Sequence, residues 1–420
     1  MVFCLPQKLK FATDFNRSLM NHQSAAYITG LGIISAIGHN LPENLNALNA
    51  LQAGIGPADL LKSMHQLPVG EIKLSNQELA DKCGALGTLP RTALLSILAA
   101  KEALSAFEGR MKGYRIGLLS ANTVGGMDLT EKEYPNIKSR EKIDLRNIRY
   151  HESGSITELT ADALGLEDCW ATTISTACSS SANTIMMGTK LIEQGKMDIV
   201  IAGGADSLSR FTLNGFNSLM ILDKELCQPF DEHRRGLNLG EGAAYVVLMN
   251  EQTAKSLKAE KLAIVSGYAN ANDAHHQTAS SPEGTGNQLA MKNAILQAGL
   301  IPEQIDYINL HGTGTANNDS SEGIAIDKIF EGIKVPEASS TKCYTGHTLG
   351  AAGAIEAVFS VLAIREQKAW AHLRLQTPIG ELNWQPNQQI VAKPIRHVLS
   401  NSFGFGGNCS ALVISAVAKN

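Results

Sequence analysis

The chain is predicted to adopt an α/β fold, because strand-like apolar runs alternate with helical patterns along most of its 420 residues. Short runs rich in apolar and β-branched residues predict buried strands, for example over 197–203 and 244–249. Apolar residues at three-to-four spacing predict a helix over 90–107. A single compact core stops growing near about 250–300 residues, so a chain of this length is expected to form two lobes.

The first lobe begins with a predicted strand over 26–30, which leads into Gly30-Leu31-Gly32. A dinucleotide-binding turn would need a third glycine where the chain has Ser35, so we interpret these glycines as a turn beside the core sheet. The other predicted elements of this lobe are, in order, the helix 90–107, the strands 115–120 and 171–174, a helix through 185–192, and the strands 197–203 and 244–249.

The second lobe repeats this style without a detectable residue-level repeat. Its predicted elements are the strand 263–267, the helix 286–298, the strand 305–310, the helix 351–365, and a strand over 410–416 that follows a glycine-rich turn. The polar segment 250–260 predicts the crossing between the lobes. We therefore divide the chain into an extension at 1–25, a first half at 26–258 and a second half at 259–420.

The composition excludes several classes of protein. Hydrophobic residues make up 44% and charged residues 18%, which is typical of a packed globular protein and not of a disordered one. A net charge of −4 without a dense run of Lys or Arg argues against a nucleic-acid partner. No apolar run approaches the ~20 residues that span a bilayer, so no membrane span is expected.

The seven cysteines are scattered and include no CxxC pair, so neither a disulfide framework nor a structural zinc site is indicated. A reducing, cytoplasmic compartment is therefore expected. Residues 1–25 lack the long apolar run of a secretory signal. We expect them to form a loose extension, or to precede a true start at Met20, with a transit peptide as the alternative.

Cys178 is the first candidate for a chemical role. It lies in the segment TACSSS at 176–181, between a predicted strand and a predicted helix. A cysteine in this place sits at the positive end of the helix dipole, where a thiolate is favoured and the pKa falls. The motif alone fits a nucleophile and a buried structural cysteine about equally well.

Three further motifs combine glycines with polar or aromatic side chains. HGTGT at 311–315 follows a predicted strand, and STKCYTGH at 340–347 places a lysine and a histidine five residues apart. Glu356, on the following helix, could pair with Lys342. NSFGFGGN at 401–408 is a glycine-aromatic turn. Taken singly, these motifs also fit a satisfied core histidine, a solvated surface ion pair and a tight turn that packs two rings.

Taken together and in this order, the motifs resemble those of the elongating β-ketoacyl-[acyl-carrier-protein] synthases of the thiolase superfamily. The match includes TACSSS, PFDEHR at 229–234, GEGAA at 240–244, HGTGT, STKxxTGHxxGAAGAxE and NSFGFGG, and it runs from about Tyr27 to Ser415. The resemblance implies a thiolase fold, in which two similar α/β halves form a five-layered αβαβα sandwich. It also implies a dimer, either a homodimer or a heterodimer with a chain-length-factor-like subunit.

The resemblance also assigns roles to individual residues. Cys178 corresponds to the acylated nucleophile, and its backbone N–H and that of Phe405 would form an oxyanion hole. Phe405 would also gate the acyl pocket. The remaining implied roles are active-site histidines (His311 and His347), a lysine with its acidic partner (Lys342 and Glu356), and substrate-binding residues (Val124, Thr313, Thr315 and Phe403).

The implied reaction is a decarboxylative Claisen condensation between an acyl group and malonyl, both carried on acyl carrier protein. A soft thiolate attacks the acyl thioester, and fixed N–H donors meet the oxyanion that forms. Malonyl then loses CO2, and two imidazole donors stabilise the enolate. This chemistry needs no metal and no organic cofactor, and the substrates themselves carry phosphopantetheine.

Three local departures from the family pattern bear on the substrate. SSSAN at 179–183 replaces a glycine and a histidine, and RRGLNLGEG at 234–242 replaces the usual RDGFVxGEG. Gly314 and Asn318-Asp319 stand where HGTST and a following proline are common. These variants resemble synthases of aryl-polyene and flexirubin-type pigment clusters, which puts the acyl substrate in question and not the reaction.

Two rival interpretations share the fold. A chain-length-factor-like partner would be non-catalytic, but such chains typically lack the nucleophile, whereas Cys178 is present together with both histidines. A degradative thiolase would use a second cysteine near the C-terminal end of its site. Cys409 lies near that place but outside any CxG motif.

Overall fold

The computed structural model describes residues 25–85, 87–166 and 168–418. The predicted loose extension, residues 1–25, lies outside the described residues except for Ala25. The strands of the first half are β1 (Tyr27–Ser35), β2 (Ile55–Gly56), β3 (Val69–Gly70), β4 (Ile116–Ala121), β5 (Trp170–Ile174), β6 (Ile199–Asp206) and β7 (Gly242–Met249). Those of the second half are β8 (Ala263–Asn272), β9 (Tyr307–Asn309), β10 (Glu337–Ser339), β11 (Lys368–Ala369), β12 (Val391–Ala392), β13 (His397–Gly404) and β14 (Asn408–Ser415).

Helices occupy most of the connections between strands. The helices of the first half are α1 (Leu41–Asn49), α2 (Asn76–Cys83), α3 (Arg91–Leu104), α4 (Met127–Ser139), α5 (Ser153–Ala163), α6 (Ser180–Glu193), α7 (Arg210–Ser218) and α8 (Glu251–Ser256). Those of the second half are α9 (Thr285–Gln297), α10 (Ala316–Ile329), α11 (Lys342–Thr345) and α12 (Ala352–Glu366).

Ten strands form one sheet in the order β10-β9-β13-β14-β8-β1-β7-β6-β4-β5. At its centre β1 and β8 pair through only two residue pairs, Tyr27 with Ile264 and Ile28 with Ala263. The sheet therefore divides into two five-stranded halves with mirrored order. In each half the two outermost pairings are parallel and the two inner pairings are antiparallel.

The two half-sheets enclose a shared central core. In β7, Val246 and Leu248 face this core together with α6 and α12, whereas Tyr245 and Val247 face α3 on the outer side. The same alternation occurs in β14, where Leu412 faces the central core and the residues on either side of it face α9 and α10. The layers thus run helix, sheet, helix, sheet, helix, which confirms the predicted αβαβα sandwich of a thiolase fold.

The glycines near the chain start lie within a strand and not in a turn. β1 extends to Ser35, beyond the predicted end at residue 30. A Cβ on Gly30 would lie 2.3 Å from the carbonyl oxygen of Ala103, and one on Gly32 would lie 1.9 Å from that of Ala99. The glycines therefore let α3 lie directly on the strand, and the predicted turn was wrong because close helix packing leaves no room for side chains.

The crossing between the halves contains the short helix α8 within the predicted polar segment 250–260. The boundary at 258 stays a prediction. No helix in the described part of the chain is long and apolar enough to cross a bilayer. The six cysteines that are described are all free.

Candidate active site

The turn between β5 and α6 carries Cys178. Ala177, just before it, has a φ of +54°, a left-handed conformation that is uncommon for a residue with a side chain. Strain of this kind is concentrated at functional sites. The conformation turns the Cys178 side chain toward the junction of two cavities, where it is 7% exposed.

The environment of the thiol opposes its ionisation. Burial raises the pKa of Cys178 to about 11, although the Lys342 ammonium and the backbone N–H groups of Phe405 and of Cys178 itself act in the opposite direction. The expectation that the helix end would lower this pKa was wrong, because burial outweighs it. Both of these N–H groups lie close enough to the sulfur to favour its thiolate, so they also lie beside any atom bonded to it.

His311 and His347 complete a compact cluster with the cysteine. The sulfur of Cys178 and one ring nitrogen of each histidine all lie within 4.8 Å of one another. The two rings meet edge to face, with centroids 5.5 Å apart. His311 follows β9. His347 follows α11, which comes directly after β10. Because β9 and β10 are neighbouring parallel strands, their ends bring the two histidines together.

Hydrogen bonds fix the proton position on both rings. The Leu349 N–H donates to His347 Nδ1 at 3.1 Å, and the Lys342 ammonium donates to His311 Nδ1 at 3.2 Å. Burial lowers the pKa of both histidines well below the usual range, and the Lys342 charge lowers it further. Each neutral ring therefore carries its hydrogen on Nε2, where it acts as a donor.

This tautomer also bears on metal binding. A cysteine with two histidines has the composition of a transition-metal site. A ligating imidazole nitrogen must be unprotonated, however, and here both Nδ1 atoms already accept hydrogen bonds. The arrangement thus favours hydrogen-bond donation into the site over metal ligation.

Lys342 is held by three acceptors, one for each hydrogen of its ammonium group. They are a carboxylate oxygen of Glu356, the carbonyl oxygen of His311 at 2.6 Å and the His311 ring. The side chains of Lys342 and Glu356 are both buried, so this pair is not the solvated surface ion pair that was the alternative. Burial raises the pKa of Glu356 to about 7, against the opposing effect of Lys342.

Three buried carboxylates hold the loops of the site and were not identified from the sequence. Glu322 accepts the N–H groups of His311 and Gly312 at 2.9 and 2.8 Å. Asp319 accepts the N–H of Thr313 at 3.0 Å. The third, Asp206, accepts from the backbone of Thr123, Val124 and Gly350. For Glu322 and Asp319 the sequence did offer a signal, because both are acidic residues in the helix that follows the glycine-rich turn 311–315.

A front cavity of about 280 Å³ leads from the surface to the sulfur. Thr313 and Thr315 line it, with their hydroxyl oxygens 2.9 Å apart. Phe403 lies on the same wall, and its ring centroid is 5.8 Å from that of His311. The structure thus places these three predicted substrate-binding residues on one path to Cys178.

A second cavity, of about 410 Å³ and largely apolar, opens on the other side of Cys178. Val124 and Phe216 line it. Phe405 borders both cavities, and its half-buried ring stacks on that of Phe216 with centroids 6.0 Å apart. The other candidate residues from the sequence line one or both of these cavities. Lys342 and Glu356 lie behind them, where Lys342 contacts His311 and Glu356 contacts Lys342.

Comparison with known proteins identifies the family. The sequence profile of the β-ketoacyl synthase N-terminal domain matches residues 97–254, and that of the C-terminal domain matches residues 262–376. The chain is 33% identical over 411 residues to a 3-oxoacyl-[acyl-carrier-protein] synthase 2 of Coxiella burnetii, covering 93% of this chain and 98% of that protein. The chain belongs to the β-ketoacyl synthase family. It is therefore an acyltransferase, and a synthase of the same description from Staphylococcus aureus strain COL is 32% identical over 414 residues, covering 94% of this chain and 99% of that protein.

Solved structures of similar proteins share the fold of this synthase. The ishigamide ketosynthase/chain length factor superposes with a TM-score of 0.88 at 27% identity, covering 94% of this chain and all of the matched chain. A ketosynthase in complex with its chain length factor from Xenorhabdus doucetiae gives a TM-score of 0.82 at 30% identity, covering 99% of this chain and all of that one.

Proposed function

We propose that this synthase condenses an acyl group with malonyl, both carried on acyl carrier protein, and releases CO2 and a 3-oxoacyl product two carbons longer. The observation that carries the proposal is the Cys178 thiol at the junction of two cavities, faced by two backbone N–H groups and two neutral histidines. A nucleophile, an oxyanion site and an enolate site are the three parts that the reaction requires.

The acyl group first moves from its carrier to Cys178. The sulfur bonds to the acyl carbon, the carbon–sulfur bond to the carrier arm breaks, and the thiol proton ends on the departing sulfur. The negative oxygen that forms between these events is met by the N–H groups of Cys178 and Phe405. Because the resting thiol is protonated, its proton leaves only as the new bond forms.

Malonyl then loses its carboxylate as CO2, which places negative charge on the thioester oxygen. The Nε2–H groups of His311 and His347 stabilise this charge. Neutral imidazoles suit the role, because a donor that is already neutral does not give up its proton to a weakly basic enolate oxygen. The carbanion carbon then bonds to the acyl carbon, and the bond between that carbon and the Cys178 sulfur breaks. Cys178 leaves as a thiolate, which takes a proton from solvent to restore the resting thiol. The proposal uses no metal and no organic cofactor.

The two cavities separate the two parts of the substrate. The apolar cavity, with Val124 on its wall, takes the acyl chain, and the front cavity takes the phosphopantetheine arm between Thr313, Thr315 and Phe403. Phe405 gates the passage between them. The departures in 179–183 and 234–242 favour a pigment-type polyene chain over a housekeeping fatty acid as the acyl group.

We propose that a second chain closes the apolar cavity. On and beside α7 the side chains of Phe211, Leu219 and Met220 are 65%, 45% and 88% exposed, and the first two line this cavity. The synthase from Xenorhabdus doucetiae was solved with its chain length factor, which supports a heterodimer of that kind. A homodimer is the alternative.

We place the protein in the cytoplasm, since its described cysteines are free.

The test is to incubate the protein with malonyl carrier and a panel of acyl carriers, and to identify the products by mass. We expect an acyl adduct on Cys178 and 3-oxoacyl products. A chain-length-factor-like protein would give neither adduct nor product by itself. An absence of both, with the partner chain supplied as well, would overturn the proposed function.

A further inference from the structure

The two N–H groups that face the Cys178 sulfur come from opposite halves of the molecule. Cys178 lies in the turn 176–179 of the first half, and Phe405 lies in the turn 404–407 of the second. Both groups must reach one oxygen atom, so their spacing depends on how the two turns are held together. A Cβ on Gly404 would lie only 3.2 Å from the backbone nitrogen of Cys178, which shows how closely the turns approach.

Asn408 connects these two turns through a single atom. It directly follows the Phe405 turn, and its Oδ1 accepts from two amide groups and lies within hydrogen-bond distance of a hydroxyl, whose one hydrogen it shares with the Thr176 carbonyl oxygen. Ser179 Oγ lies 2.7 Å away, Asn183 Nδ2 3.0 Å and Asn270 Nδ2 2.8 Å. Ser179 directly follows the nucleophile, and Asn183 lies one helical turn further along α6.

The donors to Asn408 are themselves held in place. Asn183 Nδ2 also donates to Thr176 Oγ1 at 2.9 Å, at the other end of the nucleophile turn. Ser410 Oγ donates to Asn183 Oδ1 at 2.8 Å and accepts from Asn270 Nδ2 at 2.9 Å. The network therefore joins both ends of the Cys178 turn to β14, which follows the Phe405 turn, and to β8, which pairs with β14.

We propose that Asn408 is a positioning residue that sets the distance between the two oxyanion donors. The inference rests on the proposed function, and it adds a residue that does not touch the substrate. Because a displacement of about 1 Å in a reactive group can cost about 100-fold in rate, this connection bears on catalysis as well as on folding. Only the side-chain oxygen of Asn408 takes part in these contacts, so an aspartate would preserve them.

The test compares N408A with the conservative variant N408D, and uses N49A, an exposed asparagine on α1, as the matched control. Acylation of Cys178 and decarboxylation of malonyl are measured separately by mass, because only acylation uses the two N–H donors. We expect N408A to lower kcat for acylation by about 10-fold or more with KM unchanged, while decarboxylation stays within about threefold. N408D keeps the acceptor oxygen but adds a negative charge near the oxyanion, so it should recover only part of the acylation that N408A loses. N49A should stay near the wild type in both steps.

Two results would overturn the inference: unchanged acylation in N408A, or an equal loss of both steps. If N408A does not fold, N183A and N270A each remove one donor. Each should then give a smaller loss of acylation alone, and wild-type rates in both would also overturn the inference. A wild-type protein that forms no acyl-cysteine would instead contradict the proposed function.

Discussion

The same four-residue pattern, Ser-Thr-x-Cys, follows the edge strand of each half-sheet. It occupies 175–178 after β5 and 340–343 after β10, and these strands hold mirrored places in the sheet order. Each edge strand also runs parallel to its neighbour. The sequence alone revealed no repeat, and this correspondence emerges only once the two strands are matched by topology.

The two cysteines have opposite environments. Cys178 faces the cavities because Ala177 adopts a left-handed φ. Cys343 lies in the helical turn α11, is 0% exposed, and donates to the carbonyl oxygen of Ser340 at 2.8 Å. Burial raises its pKa to about 12. In the second half it is Lys342, the residue before the cysteine, that reaches the site.

This difference shows that the backbone of one turn decides which side chain becomes reactive. Ala177, the third residue of the first pattern, has a left-handed backbone, and the cysteine after it faces the site. Lys342, the third residue of the second pattern, is helical, and its own side chain reaches the site. The first half thus supplies the nucleophile, and the second supplies the buried charges and imidazoles around it.

The largest expected effect distinguishes the two cysteines. Cys178→Ala should reduce acyl-enzyme formation by roughly 10³-fold or more, because no other group is placed to form the thioester. Cys343→Ala should retain acyl-enzyme formation, since its thiol faces the core. Mass analysis of the intact protein after incubation with an acyl carrier measures both. A thioester on Cys343 or Cys409 in Cys178→Ala would contradict the assignment of Cys178 as the nucleophile.

Glu356 tests the buried charge of the second half. Glu356→Ala strands the Lys342 ammonium, and the free energy of unfolding should fall by about 3–5 kcal/mol. Glu356→Gln retains an acceptor and should lose less. Urea unfolding of both variants gives the comparison, with condensation rates measured in parallel. Equal stability of Glu356→Ala and the wild type would mean that the pair does not contribute to folding.

The histidines should affect one chemical step more than the other. His311→Ala or His347→Ala should slow malonyl decarboxylation by ~10²–10³-fold, because each removes a donor to the enolate. Acylation of Cys178 should be less affected, since backbone N–H groups serve that step. His151→Ala, at an exposed position, is the control. Equal losses in both steps would contradict this division between the two halves.

His372 makes the second half sensitive to acid. Its Nδ1 accepts from the Ser340 N–H at 3.1 Å, and its Nε2 donates to the Pro229 carbonyl oxygen at 2.8 Å. Burial lowers its pKa from 6.5 to about 4. Because burial disfavours the charged ring, His372 carries no titration penalty above pH 6.5, and the free energy of unfolding falls by roughly 3 kcal/mol as the pH drops from there toward 4.

His372→Gln should be less stable than the wild type at pH 7 because it disturbs the two hydrogen bonds of the ring. The difference should shrink on acidification to pH 4.5, because only the wild type then has a buried ring to protonate. Urea unfolding at several pH values measures it. A difference that is constant with pH would show that His372 does not titrate in this range. The other buried titrating groups are common to both proteins, so they cancel in the comparison.

The smallest effect concerns Phe405, at the boundary between the cavities. Phe405→Ala keeps the backbone N–H but removes the ring that stacks on Phe216. Malonyl should then lose CO2 before an acyl group is in place, and the ratio of CO2 to product should rise by about two- to tenfold. An unchanged ratio in a folded variant would leave Phe405 as ordinary packing.

Sequence patterns were enough to predict the fold class and the candidate residues. Cys178, His311, Lys342 and His347 lie in short motifs at the ends of strands, where neighbouring strands of a sheet bring side chains together. Such motifs are local, so they can be identified without knowing the packing. The same holds for the apolar runs that predicted the buried strands.

The electrostatics of the site, in contrast, arise from packing between distant parts of the chain. The raised pKa of Cys178 depends on complete burial between the two halves, and the tautomers of the histidines depend on the contacts of their Nδ1 atoms. The roles of Asp206 and Glu322 likewise rest on partners distant in sequence or on the far side of a turn. Burial and hydrogen bonding arise from surfaces that meet only in the folded chain, so local sequence patterns do not contain them.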